Sequence, residues 1–201
     1  MEIEKFKDNL KKNDASDIYK RFILGSDVWF FRKDGIKINE HYVIYDEFKV
    51  YLSKNLGIHT NDIAIVGSAK LGFSLAPDKD YRAFSETSDI DIVIVSSDIF
   101  RKSWTAFIEL HKKNYLRGYK EVCSSVFRRF VSLKEPDTRN IFFDEWSRKV
   151  EPCKKDIQTL FSIPNEINYR IYESWESVET YHCMGLIEMK KKLERKNEKD
   201  N

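Results

Sequence analysis

Two acidic residues separated by a single position are the strongest chemical signal in the chain. They are Asp89 and Asp91, within the run Ser88-Asp89-Ile90-Asp91-Ile92 that opens a stretch of β-branched residues. In a strand, alternate side chains share a face, so both carboxylates face one side while Ile90 and Ile92 point into the core. Two neighbouring carboxylates repel each other unless a cation neutralises them. Because Mg²⁺ takes one or two protein carboxylates together with water and phosphate oxygens, the pair predicts a site for Mg²⁺ or Mn²⁺.

A glycine-serine turn lies upstream of the acidic pair. The apolar run Ile63–Val66 has the pattern of a short buried strand and leads directly into Gly67 and Ser68, after which residues 69–75 are expected to be helical. Glycine permits close approach of the backbone to a ligand, and a serine hydroxyl with the N–H groups of a following helix can hold phosphate oxygens. The order strand, glycine-serine turn, helix and acidic strand therefore predicts a site for a metal-bound nucleoside phosphate.

This order of motifs resembles the DNA polymerase β-like nucleotidyltransferase superfamily. The family pattern is a hydrophobic strand, Gly-Ser, a helix, and a strand that begins Asp-x-Asp after a Ser or Thr. Val66-Gly67-Ser68 and Ser88-Asp89-Ile90-Asp91 match that pattern, and the close resemblance covers residues 63–97. Each dipeptide alone is common, but the two motifs in this order are a fairly specific combination.

The resemblance implies transfer of a nucleotidyl group from an NTP or dNTP to a hydroxyl acceptor, assisted by divalent ions held by three carboxylates. Asp89 and Asp91 are the first two of these and the expected metal ligands. The nucleotide-binding residues are assigned as Gly67, Ser68, Lys70 and Ser88. Compact bacterial relatives often act in phage defence, which is an analogy rather than a property of these residues.

The third carboxylate is expected on a later strand that faces the first two. The best later strand is residues 167–172, and Glu166 at its start is the first choice for a third catalytic acid. In the alternative, Asn168 occupies the expected position and the site has only two acids. Glu173 and Asp144 are the remaining candidates.

The spacing between the two motifs is longer than is usual for the family. Asp89 follows Ser68 by 21 positions, about twice the more common separation, so residues 77–86 are interpreted as an inserted loop. In this interpretation Lys79, Tyr81 and Arg82 overhang the site and contact substrate. The simpler alternative is an exposed polar loop.

Several helices and one more strand are expected to support the site. Apolar residues at three-and-four spacing predict an amphipathic helix over residues 42–56, and others over residues 100–116 and 175–196. A further helix over residues 142–160 is expected to be interrupted near Pro152. The predicted fold class is α/β (α+β), with a polymerase β-type nucleotidyltransferase core, a short mixed sheet flanked by helices, and helical N- and C-terminal additions.

The chain is expected to form one catalytic core with an N-terminal extension. Residues 1–41 are assigned to a helical and hairpin extension packed on the core, with a turn at Lys33-Asp34-Gly35, and residues 42–201 to the core with its C-terminal helix. No repeat or low-complexity linker divides the chain further.

Composition limits the environment of the protein. In 201 residues, 35 Lys and Arg nearly balance 33 Asp and Glu, so the formal net charge of +2 does not indicate a nucleic-acid binder. The charged N-terminus has no signal-peptide pattern, no segment is apolar enough to span a membrane, and three widely spaced cysteines fit reduced thiols. A cytoplasmic protein with no membrane partner is expected.

Three functional hypotheses follow. The leading one is an active metal-dependent nucleotidyltransferase whose acceptor is a hydroxyl of a nucleotide, a nucleic acid or a protein. The second is a catalytically silent nucleotide-binding or antitoxin-like partner protein that retains the fold, and Asn168 is the residue that favours it. The third is a structural α/β interaction domain in which the motif is accidental. The oligomeric state and the base preference are left open.

Overall fold

A computed structural model describes residues 2–32 and 40–199, the last four by their helical backbone alone. Its centre is a four-stranded sheet in the order β1-β2-β4-β3. The strands are β1 (Ile63–Val66), β2 (Ile90–Val95), β3 (Phe130–Ser132) and β4 (Ile167–Tyr172). β2 and β4 are parallel, whereas β1 pairs with β2 and β3 pairs with β4 in the antiparallel sense. The predicted mixed sheet is confirmed.

Helices cover both faces of this sheet, as expected for an α/β chain. They are α1 (Ile3–Lys12), α2 (Ala15–Ile18), α3 (Glu40–Leu56), α4 (Gly67–Leu71), α5 (Ser97–Lys112), α6 (Tyr119–Phe127), α7 (Ile141–Leu160) and α8 (Trp175–Lys199). No helix in the described ranges is long and apolar enough to cross a membrane.

The alternation of side chains along the strands divides the core into two parts. Ile90, Ile92 and Ile94 of β2 face one part, which they share with α3, α5 and α7. Val93 faces the other part, which contains apolar residues of α1, α2 and α8. Asp91, one residue before Ile92 and two before Val93, therefore lies on the α8 side of the sheet.

Two local features differ from the sequence-based predictions. Helix α7 continues through Pro152 instead of breaking there. A proline removes one backbone donor, and the packed apolar side chains Phe143, Trp146, Cys153 and Ile157 on both sides of it hold the helix together. Strand β3 was not predicted, because its three residues are too few to show a strand periodicity.

The N-terminal segment packs on the α8 side of the sheet. Phe6 and Leu10, one helical turn apart on α1, are buried in the same cluster as Leu186 and Met189 of α8. A π-helical turn at Tyr19–Ile23 continues α2 and contributes two more buried residues. The turn predicted at Lys33-Asp34-Gly35 lies outside the described residues.

Candidate active site

A cavity of about 470 Å³ opens on the α8 side of the sheet, where β1 ends and β2 begins. Gly67 and Ser68 line it together with Ser88, Asp89 and Asp91. Residues of the inserted loop and of α8 form its other walls. The structure thus brings five of the seven predicted site residues to one cavity, whose volume is typical of a small-molecule site.

The glycine of the turn lies where a side chain would collide with the second aspartate. Val66, the residue before Gly67, pairs with Asp91 in the β1-β2 register. Gly67 has φ +70°, and a Cβ added there would lie 2.9 Å from Asp91 Oδ2. Only glycine fits both the backbone conformation and the space, so the turn and Asp91 form one unit.

Asp91 is held by two residues of the neighbouring parallel strand. Asn168 is directly opposite it in the β2-β4 register, and Asn168 Nδ2 donates to Asp91 Oδ1 at 2.8 Å. Arg170 donates from Nε to Oδ1 at 2.9 Å and from Nη2 to Oδ2 at 3.1 Å. Burial alone would lower the pKa of Arg170, but Asp91, with smaller contributions from Tyr181 and Tyr172, outweighs it and raises that pKa. Asp91 is therefore the anion of a bidentate ion pair.

Asp89 has its own cation, supplied by the loop after β3. Lys134 Nζ lies 3.0 Å from each carboxylate oxygen of Asp89. The hydrogen bond to Asp89 raises the pKa of Lys134 above its usual value. The sequence suggested that one cation must lie between the two carboxylates, whereas the chain itself provides a separate cation for each.

A buried asparagine fixes the segment that carries Asp89. Asn165 Nδ2 is within 3.2 Å of the carbonyl oxygens of Ser85, Glu86 and Ser88. Ser88 Oγ accepts a hydrogen bond from the backbone N–H of Ser85. The residues that precede β2 are thereby held against the start of β4, and this fixes the position of the Asp89 backbone at the cavity.

The supporting residues Arg170, Lys134 and Asn165 differ in how far the sequence indicates their position. Arg170 shares a strand face with Asn168, and that alternation was readable once β4 was predicted. Lys134 and Asn165 lie in loops, and nothing local in the sequence indicates that they reach Asp89 or its segment.

Lys70, assigned to nucleotide binding, does not reach the cavity. Its side chain is buried behind α4, and its Nζ donates a hydrogen bond to the carbonyl oxygen of Gly25. Helix α4 turns this position away from Gly67 and Ser68, toward the N-terminal segment. The structure therefore places Lys70 apart from the other residues assigned to nucleotide binding, with its amino group bonded to the N-terminal segment.

The buried position of Lys70 has a measurable consequence. Burial, with smaller contributions from Arg32 and Lys49, lowers the pKa of Lys70 to about 7. The unfolded chain binds this proton up to about pH 10.4, so the free energy of unfolding should rise with pH between about 7 and 10.4. The rise attributable to this group is at most roughly 5 kcal/mol.

The variant Lys70→Met should lose that part of the pH dependence. We expect its unfolding free energy to exceed that of the wild type below pH 7 and to converge with it toward pH 10, because the wild type recovers stability as Lys70 is deprotonated. Chemical denaturation across this pH range measures the difference, with the exposed Lys54→Met as the control. Parallel curves for wild type and Lys70→Met would contradict the assignment.

Glu166 also lies outside the cavity. Its carboxylate accepts from Lys154 of α7 at 2.6 Å, and the side chain is 56 % exposed. The two other candidates for a third acid are paired elsewhere, Glu173 with Arg129 and Asp144 with Arg148. The position beside Asp91 is held by Asn168, which was the alternative recognised in the sequence.

The inserted loop is fixed in place rather than free. Ser74 N donates to Arg82 O at 2.9 Å, and Phe73 forms an antiparallel bridge with Ala83. Tyr81 is buried, with its ring centroid 5.9 Å from that of Phe73, and it serves as an anchor instead of contacting the cavity. Lys192 Nζ of α8 donates to Pro77 O at 2.7 Å.

This anchoring directs two cations of the loop toward the cavity. Lys79 and Arg82 both line it. Asp80 and Tyr81 between them have φ of 41° and 57°, a backbone conformation that is costly for residues other than glycine. Lys79 and Arg82 therefore lie at the cavity, as predicted for a loop that overhangs the site. Tyr81, predicted to lie there too, does not line the cavity.

The two aspartates retain acceptor capacity for one divalent ion. A carboxylate offers about four lone-pair positions, and Asp91 uses three of them on Asn168 and Arg170 while Asp89 uses one on each oxygen. Two carboxylates are the number that Mg²⁺ commonly takes from a protein. Among the described residues no group of three or more His, Cys, Asp or Glu is placed to hold a metal ion. The donor set fits a single ion that is also held by phosphate oxygens.

Comparison with protein-family models, with curated proteins and with solved structures gives no match for this chain.

Proposed function

We propose that this protein is a nucleotidyltransferase that binds a nucleoside triphosphate in the cavity of Gly67, Ser68, Asp89 and Asp91. The observation that supports the proposal is the close approach of Gly67 to Asp91 in a cavity of about 470 Å³ that Ser68 and Asp89 also line. When bound at Asp89 and Asp91, a Mg²⁺ or Mn²⁺ ion would neutralise phosphate charge and orient the α-phosphate for attack by a hydroxyl. The hydroxyl oxygen replaces the β-phosphate on the α-phosphorus, pyrophosphate leaves, and the hydroxyl proton is released to solvent.

The side chains of the cavity have separate roles in this proposal. The Ser68 hydroxyl donates to a phosphate oxygen at the mouth of the turn, where Gly67 lets the phosphate approach the backbone. Lys79 and Arg82 neutralise the outer phosphates from the inserted loop. Arg170 holds the Asp91 carboxylate in one orientation, so that its remaining lone pair stays directed to the Gly67 side.

Asp89→Asn tests the proposal without disturbing the fold. We expect the affinity for Mg²⁺-NTP to fall more than tenfold, because one of the two charged ligands is removed. The Asp89–Lys134 pair is exposed, so its loss should cost about 1 kcal/mol or less. Isothermal titration calorimetry with each of the four NTPs, in Mg²⁺ and in EDTA, measures the change.

The matched control is Asp98→Asn on α5. Asp98 is also an exposed aspartate, paired with Lys102 at 2.7 Å, and it does not line the cavity. It should leave nucleotide affinity unchanged. A folded Asp89→Asn protein that binds Mg²⁺-NTP as tightly as Asp98→Asn would refute the role of Asp89.

The second candidate function is a catalytically silent nucleotide-binding partner protein. Asn168 favours it, because its amide group, not a carboxylate, lies beside Asp91 and donates a hydrogen bond to it. Ser132 Oγ donates to Asn168 Oδ1 at 2.7 Å, which fixes the amide with its nitrogen toward Asp91. Nucleotide binding without transfer is the outcome that distinguishes this candidate from the first.

A further inference from the structure

The wall of the cavity opposite the acidic pair belongs to α8. The lining residues of this helix are Tyr181, His182, Met184, Gly185, Leu186 and Glu188. Arg170 connects the two walls, since it binds Asp91 and its Nη1 lies 3.4 Å from Tyr181 Oη. A ligand held by Gly67 and Asp91 therefore meets α8 across the cavity.

Gly185 forms a recess in this wall. It lies in the middle of a 25-residue helix, where glycine is an unfavourable residue. A Cβ built at Gly185 would meet nothing within 4 Å, so no neighbour in the described structure requires a glycine there. The missing side chain instead leaves open space on the cavity side of the helix.

Most residues around this recess are uncharged or apolar, and the exception is Glu188, three positions further along α8. Met184, beside the recess, is 54 % exposed although its side chain is apolar. Burial, with a smaller contribution from Arg170, lowers the pKa of His182 to about 3, so that its imidazole is neutral at ordinary pH. Such a surface is poorly suited to phosphate, but it complements the face of a planar heteroaromatic ring.

We propose that the recess at Gly185 binds the nucleobase of the nucleoside triphosphate. The inference rests on the proposed function, because the triphosphate would be held by the opposite wall. The base lies against the backbone of α8 at Gly185, with the soft thioether of Met184 at its edge. The recess thus gives the protein affinity for a nucleotide beyond its affinity for the phosphates.

The test compares a nucleotide with a triphosphate that carries no base. Gly185→Leu fills the recess, and we expect the affinity for the best-bound Mg²⁺-NTP to fall about ten- to hundredfold, the range associated with loss of one stacked base. The affinity for Mg²⁺-tripolyphosphate should stay unchanged. The melting temperature should be unchanged or higher, because a helix-favouring residue replaces glycine.

Ile187→Phe is the matched control, since it adds bulk to α8 at an exposed position that does not line the cavity. It should alter neither affinity. If Gly185→Leu leaves NTP affinity unchanged, or weakens NTP and tripolyphosphate equally, the base site is overturned while the proposed function stands. If the wild type binds neither ligand, the proposed function fails and the base site fails with it.

Discussion

Asp91→Ala should lower the melting temperature by roughly 5–15 °C, whereas Asp89→Ala should leave it nearly unchanged. Asp91 and Arg170 are only 18 % and 23 % exposed, so removing the carboxylate leaves a largely buried guanidinium without its partner. We expect this to cost about 2–4 kcal/mol, less than the full effect of breaking a fully buried pair. Asp89 and Lys134 are 38 % and 39 % exposed, and water replaces the lost partner there.

The double variant Asp91→Ala/Arg170→Met shows how much of the stability lost in Asp91→Ala is due to the unpaired guanidinium of Arg170. It removes the guanidinium as well, so most of the lost stability should return. Thermal denaturation of the three variants and the wild type forms the set of measurements. Equal and small changes for Asp89→Ala and Asp91→Ala would mean that the Asp91–Arg170 pair contributes little to the fold.

Asn168→Asp is expected to have the largest effect on catalysis. It places a carboxylate beside Asp91 in the same register of the β2-β4 pair, which is where the family resemblance implies a third acid. More carboxylate ligands raise affinity for a divalent ion, and a second ion site needs such a ligand. We expect nucleotidyl transfer to increase at least about tenfold over the wild type.

The assay for this variant uses each labelled NTP and dNTP with Mg²⁺ or Mn²⁺, followed by separation of the products. Glu166→Gln is the control, because Glu166 is paired with Lys154 outside the cavity and should not affect transfer. If the wild type transfers and Asn168→Asp transfers less, Asn168 is already the functional residue. If Glu166→Gln also transfers less, Glu166 acts in the site. No transfer by the wild type with transfer by Asn168→Asp would support the silent nucleotide-binding partner.

The central part of the site could be predicted because its signals are local. The strand before Gly67, the turn and the alternation at Asp89 and Asp91 all lie within consecutive residues, and backbone geometry alone places the two acids on one face. β4 was likewise predicted from a short run of β-branched and aromatic residues bounded by a proline and a serine.

The partners of the acids could not be predicted, because they depend on which strands become neighbours. The β2-β4 register pairs Asn168 with Asp91. Glu166 lies immediately before the first residue of β4. Its backbone carbonyl accepts a hydrogen bond from Ile90 N, and its side chain pairs with Lys154 of α7. Whether Glu166 or Asn168 lies beside Asp91 depends on the register between β2 and β4. The sequence pattern of one strand alone does not determine that register. Lys70 illustrates the same limit, since its partner Gly25 is 45 positions away.

The paired acids have a consequence for how ligands enter the cavity. A divalent ion alone would compete with Lys134 for Asp89, and a triphosphate alone would meet the negative charges of both aspartates. When the two arrive together, Lys134 can move from Asp89 to a phosphate oxygen while the ion takes its place on the carboxylate. Under the proposed function, metal and nucleotide therefore bind with positive cooperativity, each raising the affinity for the other by the same factor.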